Sequence, residues 1–515
     1  MSTVPTFTFD EIKEADEKIK AQNDRVYELL LKEEEGLAQL FFESNKEKLV
    51  YHNEDYYMFD NVVKIWIKKS SRVMGLEMCL FLEPIIKDHI KKWIPTTKED
   101  NTVSEPQKNP FPIILKKYIQ KNFGTKAMVE KLTPLIEKSQ ERQDEKDFIF
   151  NQDFHHLIPI KGGLVVDLKS GELEDGKPEY KFDFYLNLEI EQDMNKIKFI
   201  DEIVLNICCG DKKLFNYLQV MLGYMITGET KEQRVFIWYG SGRNGKSTII
   251  SLLKKVLGKL YGDLPEYLIL NKESNRFKDD DSASPSVVKL KDSRVAVLSE
   301  TKKAEEINDR VVKRITGGED LGGRGLFKGK ISFKPKFKPV ICSNFKPKVN
   351  IEDYALMRRI VLFPFNAKFV EKPVHKNEYP VDKDLTSKLE KDYLNAFFTW
   401  LCMGAKKYYK SGYPDTNDIE ILKIELETFK NENQCDDDIQ DWLGEYCDLT
   451  NNEKDETKGS DLFKSYRDWY MNSRPDRNHK KDKEFYKILR QKNIKTISKH
   501  SATWFSGIKI IKLYY

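Results

Sequence analysis

A multidomain α/β fold, built around a mainly parallel sheet covered by helices, is the architecture that the sequence predicts. Three observations carry this. The chain has 515 residues, too many for one core when domains run to roughly 100–200 residues. Strand-like and helix-like segments alternate through its middle third, the pattern of a parallel sheet with helical crossovers. A glycine-rich loop lies between one such strand and one such helix. With 33% charged and 40% hydrophobic residues, the chain can bury sizeable cores beneath a charged surface, which excludes a disordered polypeptide. The expected domains are 1–192, α+β; 193–370, the parallel-sheet unit; 371–450, helical; and 460–515, a small terminal unit.

Taken in order, residues 10 to 48 carry helical periodicity. Tyr51 to Trp66 alternates polar with aromatic or β-branched residues around Asp60-Asn61, which reads as a β-hairpin. Helices are expected from about Gly75 to Trp93 and from 113 to 142, with a polar, proline-bearing connector at Thr96 to Pro112. Ile158 to Leu168 reads as two short strands bent at Gly162-Gly163, and β-like sequence continues to about Ile190. Met194 to Thr227 is helical. Arg234 to Tyr239 is a buried-type strand, and Val295 to Leu298 and Val340 to Cys342 add strands to the same sheet. After Phe369 the chain turns helical, and a charged linker near Asn451 to Gly459 precedes the last unit.

No run approaches the ~20 apolar residues needed to span a bilayer. Met1 to Asp10 lacks the basic start and apolar stretch of a secretory signal, so an intracellular location is expected. The seven cysteines lack zinc-site spacing and are expected to be reduced thiols. Net charge is only +4, but its distribution is uneven. Leu321 to Asn350 holds seven lysines and one arginine with no acidic residue, and Asp461 to His500 holds 12 Lys/Arg against five Asp/Glu. Either run alone fits a solvated face; two in one chain favour a polyanionic partner.

The chemistry concentrates in Gly240, Ser241, Gly242, Arg243, Asn244, Gly245, Lys246, Ser247 and Thr248. Small residues let backbone N–H groups turn inward around a phosphate, and the following helix directs its positive dipole end at the anion. Lys246 is the expected contact to the β- and γ-phosphates, and Ser247 a ligand of Mg2+. Such a loop needs an acid at a neighbouring strand end to hold metal and activate water. Glu300, following Arg294-Val-Ala-Val-Leu-Ser299, is the candidate general base and second metal ligand. An Asp usually stands where Ser299 does. Asn344, ending Lys338-Pro-Val-Ile-Cys-Ser343, is a candidate γ-phosphate sensor, against the plain reading of a turn residue. Arg358 and Arg359 are candidates for a finger that reaches a neighbouring subunit's nucleotide; the alternative is a surface salt-bridge pair. These residues together predict ATP binding and hydrolysis, with ATP and Mg2+ as ligands.

The order and spacing of these motifs resemble the superfamily 3 helicases, particularly the primase-helicase type of large DNA viruses (poxvirus-type), phages and plasmids. Between Glu300 and Asn344, Lys313-x-x-Thr316-Gly317-Gly318, Arg324-x-Leu326-Phe327 and Phe333-x-Pro335 are similar to the family's additional motif, with Glu319 inserted before Asp320. Gly36 to Tyr51, Tyr56 to Trp66 and Ile158 to Leu168 resemble the domain that precedes the motor. Asp461 to Tyr470, Lys483 to Ile494 and Trp504 to Ile510 resemble a winged-helix unit, either DNA-binding or protein-docking. The resemblance implies an AAA+-type ATPase domain with an N-terminal collar and a winged-helix-like C-terminal region.

It also implies a hexameric ring, probing single-stranded and forked DNA and travelling from 3′ to 5′. Strands Gly325 to Phe327 and Ile331 to Phe333 would be joined through Lys328, Gly329 and Lys330, a hairpin gripping one strand in the central channel. The competing reading is a hairpin whose edge lysines block aggregation. Further implied partners are a primase or another replisome protein, with no membrane, and the implied location is host cytoplasm or nucleus. A priming domain is not expected in this chain. Two other readings stay open: an ATP-assembled initiator or scaffold on DNA, and a packaging translocase on duplex DNA.

Overall fold

The computed structural model describes residues 25–26, 28–29, 32–92, 126–142, 150–271, 285–301, 305–324, 330–434, 438–450, 452, 454–473, 479–492, 494–499 and 502–511. The expectations for 10–24, 93–125, the strand Gly325 to Phe327, Lys328 and Gly329 lie outside these residues. The chain divides into two compact units, Met1–Pro347 with Arg359–Ile419, and Lys348–Arg358 with Glu420–Tyr515. Among the described residues no helix is long and apolar enough to cross a membrane, and the described cysteines carry no disulfide.

In the first unit, β1 (Leu49–His52), β2 (Asp55–Phe59) and β3 (Trp66–Lys69) form an antiparallel sheet. Where the sequence reading expects one hairpin turn, there are two. The first is Asn53-Glu54, with φ of +50° and +64°, the left-handed pair that a two-residue hairpin's twist requires; a glutamate in place of glycine hid it. The second is set by Asp60, whose carboxylate accepts from the Val62 and Val63 amides at 2.7 and 3.0 Å. Tyr57 and Trp66 are packing residues. The Trp66 indole is buried and donates to the Pro178 carbonyl at 2.9 Å, and Tyr57 lies 4.5 Å from the Phe150 ring. Helices Glu33–Asn45, Ser71–Lys92 and Lys126–Arg142 close a core around Phe41, Met78 and Leu132. Next come β4 (Leu157–Ile160), β5 (Leu164–Asp167) and β6 (Leu173–Asp175), bent at Gly162-Gly163 as expected.

The centre is a five-stranded, wholly parallel sheet of β7 (Val235–Tyr239), β8 (Tyr261–Asp263), β9 (Val295–Ser299), β12 (Lys338–Ser343) and β13 (Ile360–Pro364), in the order β13-β7-β12-β9-β8. Val-Phe-Ile-Trp in β7 and Val-Ala-Val-Leu in β9 are buried throughout, the unbroken apolar run of a strand covered on both faces. The order inserts β12 between β7 and β9, so the end of β12 falls between the ends of the other two.

Helices Lys212–Ile226 and Leu394–Ser411 pack backbone to backbone at a glycine pair. A Cβ on Gly223 would lie 2.1 Å from the backbone of Gly404 and Ala405, and one on Gly404 would lie 2.2 Å from the Gln219 carbonyl oxygen. The nearest atoms on both sides are main chain, so no rotamer change relieves a larger residue. Gly404→Val is expected to cost about 3 kcal/mol or more, read as a fall in the urea midpoint at unchanged slope; an unchanged midpoint would show that the helices can part freely.

The lysine hairpin differs from expectation in its boundaries. Its strands are β10 (Leu321–Arg324) and β11 (Lys330–Phe333), with Leu321 opposite Phe333 and Arg324 opposite Lys330. The first arm therefore begins before Gly325, and Lys330 belongs to a strand. Buried Leu321 and Phe333 explain the register, since a one-residue slip would turn both to the other face. Past Phe369, β14 (Lys368–Val370) and β15 (Glu378–Pro380) form a short parallel pair before helices resume at Leu385.

The second unit holds helices Glu420–Gln434, Asp438–Tyr446, Gly459–Ser473 and Asp482–Gln491, and strands β16 (Cys447–Leu449), β17 (Glu456–Lys458), β18 (Thr496–Lys499), β19 (Ala502–Ser506) and β20 (Ile508–Ile510). Its core is aromatic, built on Trp442, Tyr466, Trp469 and Phe485. Residues expected to be linker form β17 instead, paired with β19, and Thr457 donates its hydroxyl to the Ile508 carbonyl at 2.6 Å.

Candidate nucleotide-binding site

The glycine loop follows β7 directly and ends at Gly245, the N-cap of helix Lys246–Leu257. Gly242, Arg243 and Gly245 have φ of +90°, +51° and +89°, a succession that turns backbone amides towards one side. Gly240 is required by crowding: a Cβ there would sit 2.4 Å from Asn244 Nδ2 and 2.5 Å from the Phe365 carbonyl oxygen. Asn244 is buried and donates to that Phe365 oxygen at 3.1 Å, bracing the loop against the end of β13. Lys246 is buried, its Nζ donating to the Gly240 carbonyl at 2.5 Å, and burial pushes its pKa down. Ser241, Arg243 and Ser247 are exposed. Thr248 lies with its hydroxyl 3.3 Å from that of Thr386.

Strand register brings the other candidates to the same edge. Ser343 pairs with Tyr239, and Cys342 with both Trp238 and Ser299, so Gly240, Glu300 and Asn344 leave adjacent strands at one level. Glu300 is exposed with φ of +68°, and its amide donates to the Cys342 carbonyl at 3.0 Å. Asn344 is exposed beside buried Ser343, which accepts from Thr301 Oγ1 at 2.6 Å and from the Phe345 amide at 2.9 Å. Those bonds couple the turns after β9 and β12. The adjacent arginines are unlike one another. Arg359 is buried and donates from Nε to Thr316 Oγ1 at 3.0 Å, whereas Arg358 is exposed. Lys330 is placed in β11 by its backbone alone.

Sequence reasoning missed a cavity of about 620 Å³ opening beside the loop, lined by Ile207, Arg243, Gly245, Thr248, Phe369 and Thr386 among others. Apart from the loop's own Arg243, Gly245 and Thr248, its walls come from the segments around Ile207 and from Phe369 to Thr386, too far from the loop in sequence for a local pattern to reveal it. An apolar wall of Ile207 and Phe369 against polar Thr248 and Thr386 suits a planar heterocycle with polar edges.

At the opposite, amino edge of the sheet, three cations are buried. The Arg294 guanidinium donates to the carbonyls of Ile226 (2.9 Å), Leu157 (2.7 Å) and Phe154 (3.3 Å). Lys338 Nζ donates to the Thr227 carbonyl and to that of Lys336 at 3.2 Å, and Lys336 Nζ to Asn151. Burial, then the charge of Arg294, pushes Lys336 from its ordinary 10.5 down to about 7. Between these values the unfolded chain binds the extra proton, so this group's penalty is full below about pH 7 and fades as pH rises towards 10.5. Lys336→Met should therefore stabilise most near pH 6, its advantage shrinking by about pH 10. Urea midpoints of both proteins at the two pH values check this; a pH-independent difference would contradict it.

Fold and site define the class: a mixed α/β protein with a parallel sheet, whose carboxyl edge carries a glycine loop that caps a helix beside an exposed glutamate and an exposed asparagine. Residues 238–359 match a family model described as "Family of unknown function (DUF5906)". The chain is 31% identical over 343 residues to "Putative helicase L207/L206" of Acanthamoeba polyphaga mimivirus, covering 64% of this chain and 34% of that protein. It is 27% identical over 252 residues to "Putative helicase V13" of Sputnik virophage, covering 47% and 31%, and 27% identical over 195 residues to "Primase D5" of Fowlpox virus, covering 36% and 24%. Among solved structures, the C-terminal region of NrS-1 aligns over 63% of this chain and 78% of that one, at 13% identity and a TM-score of 0.34. The chain is thus a relative of proteins named as helicases and primases in large DNA viruses, as its motifs imply. It spans about a third of the length of the mimivirus relative.

Proposed function

We propose that this chain is the ATP-driven motor of a DNA helicase acting in viral or mobile-element replication. The observation that carries the proposal is the register of β7, β12 and β9, which brings the glycine loop, Asn344 and Glu300 to one edge. The loop fits a triphosphate, since the positive φ of Gly242, Arg243 and Gly245 turns its amides towards one side and Lys246 folds back over it. Its amides and Lys246 would bind the phosphates, and the Ile207–Phe369 cavity would take the base. Ser247 and Glu300 would hold Mg2+, which when bound neutralises phosphate charge. The Glu300 carboxylate accepts the proton of the attacking water, Asn344 orients that water or the γ-phosphate, and Arg358 comes from the next subunit.

On this reading the protein is a ring, six-membered by its resemblance, tracking one strand from 3′ to 5′ with Lys328 and Lys330 of each hairpin on the phosphates. Residues 1–192 form the collar, 193–370 the motor, 371–450 a helical extension, and 460–515 the winged-helix-like unit. A forked-duplex unwinding assay with parallel phosphate release tests the proposal. Wild type is expected to separate strands, and Lys246→Ala to lose both activities by about 100-fold or more. Hydrolysis that DNA stimulates without any strand separation would favour the initiator or packaging reading instead.

A further inference from the structure

Building on the proposed function for what its two ends do, we infer that the buried bond between Arg359 and Thr316 is the joint that makes the Arg358 finger and the lysine hairpin move together. Thr316 is its positioning residue.

Both partners are buried and stand 43 residues apart in sequence. Arg359 sits at a junction. Its carbonyl accepts at 2.9 Å from the amide of Val235, the first residue of β7, the strand that runs into the glycine loop. Ile360 pairs with Val235 and Pro364 with Tyr239, so Arg359 is at the amino edge of the sheet, a strand's length of about 16 Å from that loop. Arg358 precedes it directly in the chain, so whatever draws one residue displaces the other. On the far side of the bond, the Thr316 hydroxyl accepts from Arg359 Nε at 3.0 Å and donates to the Val312 carbonyl at 2.6 Å. With its proton committed to Val312, the hydroxyl can offer the arginine only a lone pair.

Thr316 lies in the last turn of helix Asp309–Gly317, whose Val311, Val312 and Ile315 are also buried. From there the chain is tied down as far as the hairpin. Gly318 caps the helix with φ of +78°, its amide donating to the Arg314 carbonyl, which the Glu319 amide also reaches at 3.3 Å. Arg314 Nη2 donates to the Asp320 carbonyl at 2.8 Å. Leu321 then opens β10 opposite Phe333 of β11.

Packing alone does not call for this bond. An apolar pair of similar shape would fill the space without desolvating a guanidinium. A directional bond from a charged donor holds one geometry instead, and stretching it leaves that donor an acceptor short in a dry interior. A neighbour's phosphate pulling on Arg358 therefore reaches the root of the hairpin, and DNA pulling on the hairpin reaches the finger.

Linkage makes these two effects one coupling, which binding alone can read without hydrolysis. Full-length protein is titrated against a labelled oligo(dT) strand of about 30 nucleotides, with and without a non-hydrolysable ATP analogue. The analogue is expected to change wild-type strand affinity about 10-fold. In Thr316→Val, which keeps the shape and removes the acceptor, that ratio should fall below about two-fold, while affinities for strand alone and analogue alone stay within about two-fold of wild type. Thr316→Ala, which leaves room for a water on the guanidinium, should lose the ratio in the same way. Thr316→Ser keeps the hydroxyl and should keep the ratio. So should Ile315→Val, which loosens the same helix and lowers its melting temperature without touching the bond. A wild-type ratio in Thr316→Val or Thr316→Ala overturns the joint alone, as does an equal loss in Ile315→Val, which would make packing responsible. A wild type whose strand affinity ignores the analogue overturns the joint and the motor reading together.

Discussion

Glu300→Gln is expected to leave nucleotide affinity within about two-fold and to slow hydrolysis by about 10²–10⁴-fold, the range a general base contributes. The substitution keeps shape and backbone. The Glu300 amide stays bonded to the Cys342 carbonyl, and the side chain is exposed. The left-handed φ of +68° is sparsely populated by non-glycine residues and is held here by the end of the sheet, so glutamine inherits a fixed direction. What changes is the capacity to take a proton. Binding of a fluorescent ATP analogue and single-turnover phosphate release separate the two quantities. A hydrolysis rate equal to wild type would remove Glu300 from the chemistry.

Arg358→Ala and Arg359→Ala should fail in different ways. Arg359 bonds the Thr316 hydroxyl, and its carbonyl accepts from the first amide of β7 at 2.9 Å. Its loss removes one of the two bonds of a buried hydroxyl, which keeps its own to the Val312 carbonyl, and empties the space of a buried guanidinium, so a destabilisation of about 1–3 kcal/mol is expected. Exposed Arg358 should fold normally when replaced, yet lower hydrolysis by about 10³-fold if it completes a neighbour's site. Mixing distinguishes a shared site from a private one. Arg358→Ala subunits keep an intact loop, and Lys246→Ala subunits keep an intact arginine, so an equal mixture should regain about a quarter of wild-type activity at heterologous interfaces. No recovery on mixing would place the arginine's action within its own chain, or nowhere.

Much of the central unit could be read from local pattern, because its logic is local. Unbroken apolar runs marked β7 and β9, and the loop's glycines marked the turn that only they can make. Boundaries set by pairing across distance were less legible. The Asn53-Glu54 turn lacks the glycine that signals a hairpin, the first arm of the lysine hairpin starts at Leu321 because Phe333 lies opposite, and β17 sits in a stretch whose composition is that of a linker. In the candidate site, Glu300 and Asn344 each follow a strand and Lys246 opens the helix after the glycine loop, positions that were visible as such. The cavity wall of Ile207, Phe369 and Thr386 comes from three separate elements. The contrast between Arg358 and Arg359 depends on a partner 43 residues away, Thr316, which no neighbouring residue announces.

The buried guanidinium of Arg294 clamps three carbonyls, from Phe154, Leu157 and Ile226, immediately before β9 begins, and Lys336 and Lys338 do similar work before β12. The two strands that present Glu300 and Asn344 at one end are thereby riveted at the other to residues 151–157, the turns that lead into β4, and to the end of helix Lys212–Ile226. A joint made of buried ionic donors on main-chain oxygens has little slack, since any stretch strands a charge in a dry interior. Displacement generated by phosphate cleavage would reach that segment as a lever stroke and not be absorbed as in a spring, so the segment would behave mechanically as part of the engine block.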